Sequence, residues 1–288
     1  MGVRRAVELA EAAVLEAAPI YTAGPLIHNP QVLTSLTERG VQILDETDLN
    51  KADRGTDLSG AAVIIRAHGI SPKAEQQLRQ RGARIIDATC PRVKASQLAA
   101  RSLADKGRWV FIAGERNHAE VRGIAGYVEK SDDSEQRRPA VIAGNAAEAA
   151  AAAEKLYQEA PEAKTALIAQ TTFSPEEYAA IAEVIKVFFP GLEVHHTICG
   201  ATRDRQNALL KLCSAVDAVI IAGGKDSANT RRLLSIAKNC GKPAWLAESA
   251  ADVNAAELAH FQTLGISAGA STPDSVIDAI EAGLLEGL

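Results

Sequence analysis

A chain of 288 residues, 47% of them hydrophobic, exceeds one ordinary domain and can build two or three cores of roughly 100 residues each. Its formal net charge of -5, with no basic tail or stripe, argues against nucleic-acid binding, and no apolar run approaches the roughly 18 residues of a membrane-spanning helix. The opening Arg4-Arg5 leads into amphipathic, Glu-containing sequence rather than an apolar leader, and four sparse cysteines suit a reducing compartment, so the expected location is the cytoplasm.

Short apolar runs at 19–23, 62–66, 84–87, 109–113, 140–143, 165–169, 192–196, 218–222, 244–247 and 264–268 alternate with longer Ala/Leu/Glu-rich stretches. Apolar at nearly every position, they predict strands buried on both faces, hence parallel sheets in an α/β fold. Helix starts are marked at Ser71-Pro72, Ser174-Pro175 and Thr272-Pro273, each a capping hydroxyl before a proline at the first helical position, and at Asn145. The polar, charged stretch 130–139 reads as a surface hairpin or loop, whereas Pro190-Gly191 closes a helix and leads into a new unit. Divisions near residues 90 and 197 give three small α/β domains: 1–89 with a C-terminal helix at 272–288, then 90–196, then 197–271.

Polar residues gather where strands end. In chain order these are Ile27-His28-Asn29, Ala67-His68-Gly69, Ala88-Thr89-Cys90-Pro91, Asn117-His118-Ala119-Glu120, Gln170-Thr171-Thr172, Thr197-Ile198-Cys199, Gly223 to Thr230, and Ser267 to Thr272. Ligands of α/β sheets bind at the carboxyl ends of strands, so three sheets facing inward would enclose one soft-metal and anion site. His118 beside Glu120 is a candidate proton-delivery pair, a solvated loop glutamate being the plain alternative. The turns containing Ser227, Ala228 and Asn229, and Ser271, offer small residues and free N–H groups at a helix start, as phosphate cradles do, although neither is a Walker loop.

The remaining candidates have structural readings. His195 and His196 lie in a strand, where one must point into packing, and His260 is expected on a surface helix. Cys213 has helical apolar neighbours and reads as a small buried hydrophobe, while Cys240 precedes Gly241 at a helix end. A cubane cluster wants at least three thiolates, and only Cys90 and Cys199 have a strand-end setting.

Taken together in this order, these pieces resemble the 4-hydroxy-3-methylbut-2-enyl diphosphate reductases of the LytB/IspH family. The resemblance runs from Gly2-Val3-Arg4-Arg5-Ala6-Val7 to Gly269-Ala270-Ser271-Thr272-Pro273-Asp274, and its strongest stretches include Arg66-Ala67-His68-Gly69, Asp87-Ala88-Thr89-Cys90-Pro91 and Ser227-Ala228-Asn229. It implies three α/β domains in a clover around a 4Fe-4S cluster, with Cys90 and Cys199 as ligands. It implies also that His28, His68, Thr171, Ser227, Ala228, Asn229 and Ser271 hold a diphosphate, that His118 binds substrate, and that Glu120 donates the proton to a departing hydroxyl. The implied products are isopentenyl and dimethylallyl diphosphate, with a ferredoxin or flavodoxin as electron donor.

The sequence departs from the family pattern in two places. Ser227-Ala228-Asn229 stands where Ser-Ser-Asn is common. Met1-Gly2-Val3 matches only the end of a Phe-Cys-x-Gly-Val turn, so the first strand and third cluster cysteine are expected immediately before Met1. Two other function classes therefore stay open from the sequence: a catalytically impaired homologue that acts as a diphosphate-binding protein, and a zinc hydrolase using Cys90, Cys199 and a histidine with Glu120 as base.

Overall fold

Short hydrophobic strands followed by capped helices fold here as repeated β-then-α steps, each helix returning the chain so that the next strand runs parallel to the last. In the computed structural model, residues 2–16, 18–27, 29–45, 56–129, 138–270 and 272–287 are described. The first part of the chain runs α1 (Gly2–Ala13), β1 (Ile20–Ala23), α2 (Pro30–Glu38), β2 (Val41–Leu44), β3 (Ala62–Ile65), α3 (Pro72–Gln80) and β4 (Arg84–Asp87). The middle runs α4 (Pro91–Asp105), β5 (Trp109–Ala113), α5 (Ala119–Val128), β6 (Val141–Ala143), α6 (Ala146–Glu159), β7 (Thr165–Ala169), α7 (Pro175–Phe188) and β8 (Glu193–Val194). The rest runs α8 (Gly200–Ala215), β9 (Ala218–Ala222), α9 (Ala228–Asn239), β10 (Ala244–Ala247), a 3₁₀ turn (Ala250–Asp252), α10 (Ala255–Leu258), β11 (Leu264–Ala268) and α11 (Asp274–Gly287).

The strands form three sheets, ordered β2-β1-β3-β4, β6-β5-β7-β8 and β10-β9-β11, and every pairing is parallel. The expected fold class is therefore the observed one. By compactness the chain divides into Met1–Leu26 with Thr37–Cys199, which holds the first two sheets, and Ile27–Leu36 with Gly200–Leu288, which holds the third.

Central strands show why nearly every position is apolar. Phe111 and Ala113 of β5 enter a core with Ala149 and Ala153 of α6 and Ile181 of α7, while Val110 and Ile112 face a second core with Leu103 of α4 and Ile124 of α5. β9 repeats the scheme, with Ile220 and Ala222 on one side and Val219 and Ile221 on the other. Each isoleucine so enclosed contributes roughly 1.5–3 kcal/mol of apolar burial.

Four expectations change. β2 has no counterpart among the expected runs: Val41-Gln42-Ile43-Leu44 is a four-residue edge strand with only its end residues buried, so its pattern does not stand out. β4 is also an edge strand, with no fully buried residue, rather than one covered on both faces. Ser71, Ser174 and Asn145 cap their helices, but Thr272 instead donates its hydroxyl to the Ala222 carbonyl, at 2.9 Å. The C-terminal helix, expected with the first domain, packs Val276, Ile280 and Leu284 against Ile220 and Ala222 of the third sheet, in one cluster with Leu258 of α10. The stretch 130–139 lies almost wholly outside the described residues.

All three sheets share one wiring. The first strand is central, the second lies to one side, and the third lies to the other, joined in the first two sheets by a fourth. The winding direction reverses between the first and third strands, which opens a crevice at their carboxyl ends.

Candidate active site

On the first sheet, β3 ends in Arg66-Ala67-His68-Gly69 and β4 in Asp87-Ala88-Thr89-Cys90. The two turns are stitched together by the Cys90 N–H, which donates to the Ala67 carbonyl at 2.9 Å. Arg5 of α1 adds bonds to the Asp87 and Thr89 carbonyls, at 3.2 and 3.3 Å. The Asp87 carboxylate accepts from the Thr89 N–H at 2.9 Å and from Lys94 at 3.2 Å. Burial opposes its ionisation, but the Thr89 and Lys94 contacts prevail and hold it below the usual carboxylate range. Gly69 adopts φ +71°, and a Cβ there would lie 2.3 Å from the buried Gln97 amide nitrogen, so the turn needs glycine on both counts.

On the second sheet, β5 leads to His118, which caps α5: its Nδ1 accepts the Glu120 N–H at 3.2 Å, so that nitrogen carries no proton in this arrangement. The His68 and His118 rings meet edge to face, with centroids 5.3 Å apart. Glu120, one residue into the helix, turns inward and is 2% exposed. Its Oε1 accepts the Thr171 N–H at 2.6 Å, and its Oε2 accepts the Thr171 hydroxyl at 3.0 Å. Burial raises its pKa to about 7, the two Thr171 bonds pulling the other way and failing to offset the lost hydration. The solvated-loop reading of Glu120 is thereby replaced: this carboxyl is buried, doubly bonded and poised to exchange a proton near neutrality.

Thr171 follows β7, and its carbonyl accepts the Cys199 N–H at 2.8 Å. Thr197, two residues before Cys199, extends the ladder beyond β8 by exchanging hydrogen bonds with the Ala169 N–H and carbonyl, at 2.7 and 2.8 Å. Each of these cysteines thus has its backbone tied to a turn that carries another candidate residue. Both are partly exposed, with free thiols.

In the second compact unit, Ser227 caps α9 by accepting the Thr230 N–H at 3.3 Å. Asn229, 5% exposed, has no hydrogen-bond partner for either atom of its amide among the described residues. A buried amide with nothing to bond costs roughly 1–3 kcal/mol, which a polar ligand at this turn would recover. The neighbouring turns are close-fitted: a Cβ on Gly223 or Gly269 would lie 2.8 or 2.3 Å from the Thr230 hydroxyl.

The structure thus brings His68, Cys90, His118, Glu120, Thr171 and Cys199 onto the carboxyl edges of two sheets in one unit, and Ser227, Ala228 and Asn229 onto that of the third. His28 and Ser271 lie outside the described residues. His195 bonds through its ring to Glu193 at 2.6 Å, His196 is exposed beside Tyr178, and His260 stacks on Phe261 in the turn after α10. Sequence reasoning placed Thr197 in a strand-end cluster but gave it no role of its own. It likewise gave none to Gln170, whose side chain accepts the Glu115 N–H at 3.2 Å and donates to Thr172 at 3.1 Å, organising the turn before Thr171. Among the described residues no three His, Cys, Asp or Glu side chains gather as a metal site.

Residues 1–285 match the family model described as LytB protein. The chain is 43% identical to the 4-hydroxy-3-methylbut-2-enyl diphosphate reductase of Treponema denticola, over 99% of this chain and 96% of that protein. It is 36% identical to the same-named protein of Aquifex aeolicus, over 99% and 92% of the two chains. Among solved structures, the E-1-hydroxy-2-methyl-but-2-enyl-4-diphosphate reductase of Plasmodium falciparum matches with a TM-score of 0.84 at 28% identity, covering 98% of this chain and 83% of that one. A second, titled (E)-4-hydroxy-3-methyl-but-2-enyl diphosphate reductase, the terminal enzyme of the non-mevalonate pathway, matches with a TM-score of 0.69 at 36% identity, over 99% and 95% of the chains.

Proposed function

The chain belongs to the LytB protein family, and we infer from that membership that it is a 4-hydroxy-3-methylbut-2-enyl diphosphate reductase, an oxidoreductase of the non-mevalonate pathway. The reaction removes the substrate's hydroxyl as water with two electrons and two protons, and the products we assign are isopentenyl and dimethylallyl diphosphate. The observation that carries the reading is Glu120: a buried carboxyl with a pKa of about 7, held in place by Thr171, is a proton donor suited to a departing hydroxyl.

Asn229 and Ser227 take the diphosphate, together with the Ala228 N–H at the start of α9, where the helix dipole favours negative charge. His68, His28, Thr171 and Ser271 are the further residues that we assign to diphosphate binding, and His118 to the substrate beside Glu120. With Nδ1 already accepting from Glu120, the neutral His118 ring keeps its proton on Nε2, a donor for a substrate oxygen.

Cys90 and Cys199 would supply two of the at least three thiolates that a 4Fe-4S cluster wants: their backbone N–H groups are committed to Ala67 and Thr171 and their partly exposed thiols are free. Cys213, enclosed in the core of the second unit, offers no further ligand. When bound, such a cluster supplies the electrons and Lewis acidity for the reduction. The electron donor we assign is a ferredoxin or flavodoxin, and the compartment the cytoplasm; no helix among the described residues is long and apolar enough to cross a membrane. We place the domain divisions at 1–89, 90–196 and 197–271, with the last helix assigned to the third. The impaired-homologue reading rests on the count of two suitable thiols; the family match over residues 1–285 and the buried Glu120–Thr171 pair support the reductase over it.

The test is anaerobic turnover of 4-hydroxy-3-methylbut-2-enyl diphosphate with a reduced one-electron dye, products identified by mass spectrometry. Dye oxidation matched by both five-carbon diphosphates is the expected result, and tight pyrophosphate binding without turnover would restore the binding-protein reading.

A further inference from the structure

The two cysteines that the reaction does not use are neighbours. Cys213 lies on α8 and is 2% exposed, packed with Leu209, Val219 and Ile221 and with Leu233 and Ala237 of α9. Cys240 ends α9, its N–H donating to the Ile236 carbonyl at 3.0 Å, and its side chain is exposed. On a helix, residues three, four and seven apart share a face, so Leu233, Ala237 and Cys240 form one stripe, the stripe that packs on Cys213. Cys240 lies close enough to help push the buried Cys213 thiol up. In a chain with four cysteines, the two outside the active site thus share the packed joint of two helices.

We propose that Cys213 and Cys240 form a redox-sensitive dithiol, separate from the reductase site, that hydrogen peroxide closes to an intramolecular disulfide. Burial and the nearby Cys240 push the Cys213 thiol up, while Cys240 stands in solvent, so Cys240 is the sulfur that meets the oxidant. Its thiolate attacks one peroxide oxygen, the O–O bond breaks, and the products are the Cys240 sulfenic acid and, after protonation, water. Cys213 sulfur then attacks the sulfenic sulfur, expelling a second water as the S–S bond forms. Two thiols and one peroxide thus yield one disulfide and two waters. The bond staples α8 to the end of α9 opposite the Ser227-Ala228-Asn229 turn.

Trypsin separates the two cysteines, placing Cys213 in the fragment 212–225 and Cys240 in 239–288, because the bond after Lys242 precedes a proline. The purified protein is exposed to stepwise hydrogen peroxide, its remaining thiols are blocked, and non-reduced digests are mapped by mass spectrometry. A joined 212–225/239–288 pair that dithiothreitol separates is the expected result. In Cys213→Ser, Cys240 should stop at a dimedone-trappable sulfenic acid. In Cys240→Ser, Cys213 should stay reduced over the same range. The proposal is overturned if wild-type Cys240 passes to sulfinic acid, or bonds to another chain, with no joined pair. That wild-type readout needs neither variant to fold and does not depend on reductase activity.

Discussion

Glu120 and Thr171, from different strand-end turns of one sheet, are joined by two hydrogen bonds that occupy both carboxyl oxygens. The pair lies at the carboxyl ends of β5 and β7, where the winding reverses, and burial outweighs both bonds to raise its carboxyl's pKa to about 7.

Glu120→Gln should lower turnover by roughly 10² to 10⁴ while leaving pyrophosphate affinity nearly unchanged, since the amide keeps the shape but delivers no proton. Steady-state kinetics and calorimetry on the same preparation check both halves.

The same substitution should alter how stability depends on pH. The folded pKa of Glu120, about 7, is above the ordinary 4.5, so the folded state binds the extra proton between these values and its stability falls as pH rises through them. The group's share of that fall is about 3 kcal/mol. Urea midpoints measured at several pH values should decline across this window in the wild type and lie flatter in Glu120→Gln. Equal slopes would show that Glu120 is ionised at neutrality.

Thr171→Val removes the hydroxyl bond to Oε2 and leaves the N–H bond to Oε1. Both bonds lower the carboxyl's pKa, so losing one moves it further up. The basic limb of the kcat profile should shift to higher pH by a measurable margin, an effect that a packing defect alone would not produce.

Asn229→Ala should weaken pyrophosphate binding by roughly 1–3 kcal/mol and leave the melting temperature close to wild type, because the amide has no partner among the described residues to lose. Ser227→Ala should do both kinds of damage, since Ser227 also caps α9, a bond worth about 1 kcal/mol of stability. Calorimetry with thermal melts separates the two outcomes, and unaltered affinity in both variants would move the anion cradle elsewhere.

Gly69→Ala should destabilise by at least about 1–2 kcal/mol, the cost of a side chain in the left-handed region, with a further penalty from its contact with Gln97. Adding Gln97→Ala should remove the contact part and leave the backbone part, so a double-mutant cycle measured by urea unfolding should show positive coupling.

Much of this was legible beforehand because buried parallel strands are continuous apolar runs. 218–222 and 165–169 are unambiguous as sequence and fully buried as strands. β2 was not legible, since an edge strand half in water need not be apolar, and neither was the final helix's sheet, since an amphipathic stripe says that a face is covered but not by which partner. Within the site, residue types at strand ends were legible, and the resemblance supplied their roles. The burial of Glu120 was not, because a glutamate in the first turn of a helix is ordinarily a solvated partner of the helix dipole. Only the approach of the Thr171 turn, fifty-one residues later, takes it out of water.

The shared wiring of the three sheets also assigns matching places to unlike residues. His68, Thr171 and Ser271 each follow the third strand of their own sheet, and Cys90 and Cys199 each follow a fourth. Superposing the three modules strand on strand should therefore align residues of unlike chemistry at matching turns, so that one repeated strand order presents a different side chain at the same place in each sheet.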